Sequence, residues 1–247
     1  MESKKNLPNA VAIFLCGGRG TRMRGSVADK IFAPLAGIPA FAHSLRAFDA
    51  AGFFSNAIFV FRDESQREEI KKNIVNFSPN FASRACFCQG GNERRDSVFN
   101  GISAALDAGI DEQTPAFIHD CARPLIRAES LRALAETAAR EGAAVLAHRC
   151  RNTVKRVPDG VATGAACLTE DLDRARLWET ETPQVFPLGI IFAAYKNARE
   201  KNLSPTDDVA AAGALGIPVA IVENLFPNPK ITLPEDLALC ETLLKKF

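Results

Sequence analysis

The chain has 247 residues, enough for one large α/β domain or two small ones. A hydrophobic fraction of 47% suits a sizeable core, and a formal net charge of +1 supplies no long-range field for nucleic acid or an anionic membrane. No run approaches the ~18 consecutive apolar residues of a spanning helix, and the opening MESKKNLPNA lacks a signal peptide's apolar segment.

The first apolar run, Val11–Cys16, predicts a strand. It leads directly into Gly17-Gly18-Arg19-Gly20-Thr21-Arg22-Met23. Small residues let backbone N–H groups approach a ligand, and Gly17, Gly18 and Gly20 are free to take positive φ. Arg22 and Lys30 add fixed positive charge to the same loop. Strand, glycine turn and cations together are the expected shape of a nucleoside triphosphate site. Gly-Gly-x-Gly alone equally describes a tight turn. The P-loop pattern is missing, and the dinucleotide fingerprint G-x-G-x-x-G fails at Met23, which argues against a dehydrogenase.

A helix is expected over Pro39–Ala50, a strand over Ala57–Phe61, a charged helix over Glu64–Asn76 and a strand over Arg84–Cys88. Next, Gln89-Gly90-Gly91-Asn92 opens a helix over Glu93–Ala108, with Val98, Ile102 and Leu106 on one stripe. Two glycines and a helix N-terminus can receive a ligand; the plainer reading makes Asn92 or Ser97 the helix cap. The strand Ala116–His119 runs into Asp120-Cys121-Ala122-Arg123. A carboxylate at the carboxyl end of a strand suits Mg²⁺, which binds through few carboxylates plus substrate phosphates. The alternative is a structural pair of Asp120 with Arg123. No second His or Cys stands at ligand spacing from His119, so His119 reads as a packed or orienting residue.

After a helix over Ala128–Arg140 and a strand over Ala143–Ala147 the rhythm changes. Between about 149 and 182, two β-like stretches, Thr153–Val157 and Gly160–Leu168, flank the turn Pro158-Asp159-Gly160. This predicts an inserted β-arm. The α/β pattern returns with Leu188–Glu200, Asp207–Leu215, Val219–Val222 and Pro234–Lys246. Short apolar runs alternating with helices imply a mostly parallel sheet flanked by helices, in one domain spanning 1–247 with the arm at about 149–182. Thr153, Lys155, Arg156, Arg174, Thr182, Thr206, Asp207 and Lys230 are scattered, and no local rule makes them a site. Seven cysteines, an odd number without C-x-x-C, read as reduced and mostly buried structural thiols in a cytoplasm.

Taken in order, Leu-Cys-Gly-Gly-Arg-Gly-Thr-Arg-Met with Lys30, Gly-Gly-Asn-Glu-Arg-Arg-Asp-Ser-Val, His-Asp-Cys-Ala-Arg-Pro, Asn-Thr-Val-Lys-Arg, Asp-Arg-x-x-Leu-Trp-x-x-x-Thr-Pro-Gln, Thr-Asp-Asp and Lys-Ile-Thr-x-Pro-Glu-Asp-Leu resemble the 2-C-methyl-D-erythritol 4-phosphate cytidylyltransferase family over roughly residues 10–245. The resemblance implies a Rossmann-like nucleotidyltransferase fold, a homodimer clasped by the arm, and the Mg²⁺-dependent conversion of CTP and methylerythritol phosphate to a CDP-alcohol and pyrophosphate. It implies Arg22 and Lys30 as catalytic cations at the CTP phosphates. It assigns Cys16, Gly17, Gly18, Gly20, Gly91, Asn92, Ser97 and Cys121 to the nucleotide and Asp120 to the metal. It assigns Arg123, Thr153, Arg174, Thr182, Thr206 and Lys230 to the sugar phosphate, some of them reaching a partner's site. The chain departs from the family's usual Pro-Lys-Gln with Asp29-Lys30-Ile31, and Asn92 stands where Asp is commoner. Ribitol-5-phosphate cytidylyltransferases share the glycine loop and Thr-Pro-Gln and are the alternative reading. A non-catalytic nucleotide-binding protein on the same fold is the other.

Overall fold

The computed structural model describes residues 7–18, 20–23, 25 and 27–246. Residues 1–6 of the N-terminal stretch and Arg19 of the glycine loop lie outside them. The strands are β1 (Ala10–Leu15), β2 (Pro34–Leu35), β3 (Ile38–Pro39), β4 (Phe54–Phe61), β5 (Ala85–Gln89), β6 (Pro115–Asp120), β7 (Ala144–Arg149), β8 (Lys155–Arg156), β9 (Glu170–Asp171), β10 (Trp178–Pro187) and β11 (Ala220–Glu223). The helices are α1 (Ala40–Ala51), α2 (Glu64–Phe77), α3 (Pro79–Ala82), α4 (Arg94–Asp107), α5 (Ala128–Glu141), α6 (Leu188–Glu200), α7 (Asp208–Gly213) and α8 (Glu235–Leu244).

Seven strands form one sheet in the order β11-β7-β10-β6-β1-β4-β5. All neighbours run parallel except β10, which is antiparallel to both β6 and β7. Side-chain alternation along β1 explains the layering. Phe14 joins one core with α1, α2, α3 and α5; Val11 and Ile13 join the other with α4, α6 and α7. The first core is aromatic: Phe14 stacks on Phe59 at 5.0 Å between centroids and lies 4.7 Å from Phe48. Much of the chain's Phe content is spent there, which keeps β1 rigid under the loop that follows it.

β10 has no counterpart among the expected strands, and the arm is shorter than expected. Residues 178–182 belong to the central sheet, leaving 150–177 outside it. The arm's ladder pairs Lys155 with Asp171 and Arg156 with Glu170, so the expected strand Gly160–Leu168 does not form. Gly160 and Gly164 take positive φ of 76° and 86°, which breaks extended backbone there. Opposite charges hold the short ladder instead, through the Lys155–Asp171 and Arg156–Glu170 pairs.

β1, β4, β5 and β6 end at the same edge of the sheet, with Leu15 beside both Val60 and Asp120, and Phe61 beside Gln89. The loops after these ends therefore converge, as the geometry of open α/β sheets requires.

Candidate active site

A cleft of about 880 Å³ lies over those strand ends. Its walls include Cys16, Gly17, Gly18, Gly20, Arg22 and Lys30 from the β1 loop, Gly91 and Asn92 from the β5–α4 turn, Ser97 in the first turn of α4, Asp120 at the end of β6, and Lys230. Eleven positions chosen from distant segments thus share one cavity.

Of the three loop glycines only Gly20 takes positive φ, 60°. A Cβ at Gly17 would meet nothing closer than 3.6 Å, and at Gly18 nothing closer than 3.8 Å. Packing within the chain does not demand glycine at those two positions. What glycine leaves there is open backbone facing the cleft, the condition for close approach of an anion. Gly91 is different: a Cβ would stand 2.2 Å from Asp96 Cβ. Its N–H donates to Ser97 Oγ at 3.1 Å, closing the turn into α4. Neither Asn92 nor Ser97 caps that helix. Glu93 holds the cap position, and its N–H donates to Asp96 at 3.2 Å. Asn92 stays exposed on the cleft wall, with its side chain available to a ligand.

Asp120 is the electrostatic centre. Its Oδ1 accepts from Arg94 Nε at 3.1 Å and its Oδ2 from Lys230 Nζ at 2.5 Å. Burial pushes the carboxyl up, but Arg94 and Lys230 outweigh that and hold it far below the usual carboxylate range. Asp120 is therefore ionised throughout the physiological range. Arg94 also forks onto the buried Asp208, 3.0 Å to each oxygen, and Tyr195 donates to Asp208 at 2.5 Å. The structural pair expected for Asp120 exists, but its partner is Arg94 rather than Arg123.

Lys30 donates to the Ile231 carbonyl at 3.0 Å. Burial, reinforced by the neighbouring Lys230, lowers its pKa. The unusual Asp29 beside it is a hub. It accepts from Gln66 Nε2 at 2.7 Å and pairs with Arg62 at 3.2 Å. Gln66 Nε2 also donates to the Cys16 carbonyl at 3.0 Å, and Gln66 Oε1 accepts from Arg62 N–H at 2.7 Å. The glycine loop is thus tied to the start of α2.

Beneath Asp120 runs a chain of hydrogen bonds. Asp120 N–H donates to Thr182 Oγ1 at 3.0 Å, and Thr182 Oγ1 lies 3.2 Å from His119 Nδ1. His119 Nε2 lies 3.2 Å from Ser44 Oγ, which donates to the Arg123 carbonyl at 3.1 Å. Since Ser44 spends its proton on that carbonyl, it accepts from His119 Nε2–H. Nδ1 then accepts the Thr182 hydroxyl proton, and the imidazole is neutral. Burial agrees, lowering the His119 pKa to about 3. His119 is an orienting residue, as expected. Thr182, expected at the substrate, lies buried under the site with its hydroxyl already engaged, so it supports Asp120 from below.

The remaining assignments separate. Cys121 is buried behind the cleft against Cys16. Arg123 is largely buried and donates to the Asn228 carbonyl at 2.7 Å, while its Nε has no partner among the described residues. Thr206 is exposed just before the α7 cap, Asp207. Thr153 and Arg174 are exposed on the arm and do not line this cleft. Arg94 and Asp208 stand within the sequence motifs without a role of their own there, because an Arg-to-Asp fork across 114 positions has no local signature.

The chain is similar to known proteins over nearly its whole length. A family profile described as 2-C-methyl-D-erythritol 4-phosphate cytidylyltransferase matches residues 10–246. A protein of that name from Pelotomaculum thermopropionicum is 35% identical over 97% of this chain and 95% of its own. Another, from Dehalococcoides mccartyi, is 36% identical over 95% and 96%. A crystal structure of 2-C-methyl-D-erythritol 4-phosphate cytidylyltransferase from Thermus thermophilus superposes with TM-score 0.73 and 26% identity, covering 96% of this chain and 99% of that one. The Anaerococcus prevotii 4-diphosphocytidyl-2C-methyl-D-erythritol synthase shares the fold at TM-score 0.80 and 21% identity, covering 96% of each chain.

Proposed function

The chain belongs to the 2-C-methyl-D-erythritol 4-phosphate cytidylyltransferase family, and from that premise we infer that its cleft transfers CMP from CTP to 2-C-methyl-D-erythritol 4-phosphate. Pyrophosphate is released, and the product feeds isoprenoid precursor synthesis. The observation that carries this reading is the convergence of open glycine backbone, Lys30, Lys230 and ionised Asp120 in one cleft.

The nucleophile is a phosphate oxygen of the sugar phosphate, attacking the α-phosphorus of CTP in line. That phosphate is already ionised near neutral pH, so no general base is needed. Catalysis is then positioning and charge stabilisation. Lys30 and Arg22 neutralise charge building on the α-phosphoryl oxygens. Gly91, Asn92 and Ser97 receive the base, where the Asn92 amide oxygen accepts from the cytosine amino group. Lys230 and Arg123 draw the sugar phosphate, Arg123 with an Nε that has no partner among the described residues.

The family's reaction depends on a divalent cation. The residues present fit Mg²⁺. Asp120 presents an ionised carboxylate at the cleft, and Mg²⁺ needs few carboxylates where triphosphate oxygens supply the remaining ligands. Asp120 would hold the ion, which supplies charge neutralisation at the leaving pyrophosphate. In its absence Lys230 and Arg94 already balance Asp120.

Thr153 and Arg174 serve a second copy of the chain, brought to its cleft by the arm in a homodimer. Leu168 is 91% exposed and Val157 52% exposed on the arm, apolar surface that such a contact buries. Light scattering is expected to give a dimer; a monomer at every concentration defeats this part. No described helix is long and apolar enough to cross a membrane, and every described cysteine is free, which supports a cytoplasmic setting.

The test is a pyrophosphate-release assay over the four nucleoside triphosphates with either methylerythritol phosphate or ribitol 5-phosphate. CTP with methylerythritol phosphate is expected to react. Reaction with ribitol 5-phosphate alone overturns the substrate; CTP binding without turnover overturns the enzyme.

A further inference from the structure

Cys16 and Cys121 stand at the ends of adjacent parallel strands, one residue beyond the paired Leu15 and Asp120. Their Sγ atoms are 3.4 Å apart, and one thiol donates to the other. Adjacent strands lie about 4.8 Å apart, within the roughly 4.4–6.8 Å Cα separation that a disulfide spans. An S–S bond of about 2.05 Å would therefore need the two sulfurs to close by little more than 1 Å. Cys16 borders the cleft but is itself 1% exposed, so only an oxidant as small as a peroxide approaches its sulfur from that side. Cys121 is fully buried behind it.

We propose that Cys16 and Cys121 form a redox-active dithiol at the floor of the cleft, which a peroxide converts to an intramolecular disulfide. The Cys16 sulfur attacks a peroxide oxygen, the O–O bond breaks, and the first water leaves, giving a sulfenic acid. The Cys121 sulfur, losing its proton, attacks the Cys16 sulfur. The S–S bond forms, the S–O bond breaks, and the second water leaves. Two thiols lose two protons and two electrons; one hydrogen peroxide gains them.

The consequence is local. Cys16 opens directly into Gly17, and Cys121 follows Asp120, so the bond pulls the glycine loop and the Asp120 carboxylate toward each other. This effect on catalysis rests on the cytidylyltransferase reading; formation of the bond does not.

The test treats the full-length Cys167→Ser protein with hydrogen peroxide, since Cys167 is the exposed thiol. Peptide mapping without reductant should show the segments holding Cys16 and Cys121 joined, with loss of two hydrogens. Dithiothreitol should separate them, and Cys121→Ala should abolish the link. Transferase activity should fall by roughly a hundredfold on oxidation, the scale of a 1 Å misplacement, and return on reduction. Oxidation of either sulfur to sulfinic acid without a joined peptide overturns the proposal. So does a fully joined protein that keeps its activity. Joined peptides in a preparation that never had transferase activity uphold the dithiol and defeat only the functional reading.

Discussion

Burial and Lys230 oppose the positive charge of Lys30, Asp120 and Asp29 offset that only in part, and a bound anion would add to their support. That is the arrangement of a group whose charge matters most in the transition state. Lys30→Ala should lower kcat by about 10²–10³ and change the KM for CTP far less. An unchanged kcat in steady-state assays would remove Lys30 from the chemistry. The sign of its pKa shift adds a second readout. The active form is protonated, and the pKa is lowered from 10.5, so kcat should decline on the alkaline side before a normal lysine titrates. Lys30→Arg should carry that decline to higher pH. Residue types and their nearness along the chain single out Lys30, Arg22 and Asp120, which the fold brings to one cleft. They were not enough to find Arg94, because its two carboxylates come from β6 and α7 and meet only in the fold.

Among the seven strands of the central sheet, those whose hydrophobic pattern matches their burial were legible in the sequence, and β10 was not. β1, β4, β6 and β7 show as apolar runs because they are buried by apolar neighbours, and the half-buried edge strand β5 shows as one too. β10 reads Trp-Glu-Thr-Glu-Thr-Pro-Gln, yet Glu181, Thr182 and Gln184 within it are buried. Their burial is offset by hydrogen bonds: Asn224 and Asn228 each donate to Glu181 at 2.9 Å, and Gln184 donates to Asp207 at 3.0 Å. A strand satisfied by long-range polar partners leaves no periodicity to read. The opposite case is α4, whose apolar stripe was plain but whose closeness to the sheet was not. At Gly101 a Cβ would lie 2.8 Å from Ile13 Cγ2 and 2.9 Å from Val60 Cγ2. Gly101→Ala gains about 0.5–1 kcal/mol of helix propensity. Forcing α4 off β1 and β4 costs about 1–3 kcal/mol, so the net effect should be destabilising. Because α4 begins just after Gly91, the same shift should raise the KM for CTP. A variant that unfolds at higher urea than the parent would show that the helix has room to spare.

At the scale of the whole molecule, the hydrogen-bond chain under Asp120 makes global stability depend on one neutral imidazole. His119 joins Asp120 and Thr182 on one side to Ser44 on α1 and the Arg123 carbonyl on the other. Protonating it would place a second N–H against a Thr182 hydroxyl that already points its proton inward, at a fully buried position. Burial therefore lowers its pKa to about 3, against 6.5 for an ordinary histidine. Between those two values the unfolded chain binds a proton that the folded chain refuses. Stability then rises with pH through that window and is lost as pH falls through it, at about 1.4 kcal/mol per unit. From pH 6.5 to 4 the loss attributable to His119 is on the order of 3 kcal/mol. Asp120 adds its own loss only further down, because its folded pKa is depressed and its unfolded value is 3.8. The two are thus separable by pH. Urea unfolding at fixed protein concentration should show the parent weakening across this window, with His119→Gln weaker at pH 7 but nearly level from 6.5 to 4. If parent and His119→Gln decline in parallel, the acid sensitivity lies in other groups and the neutral imidazole is not what the fold depends on.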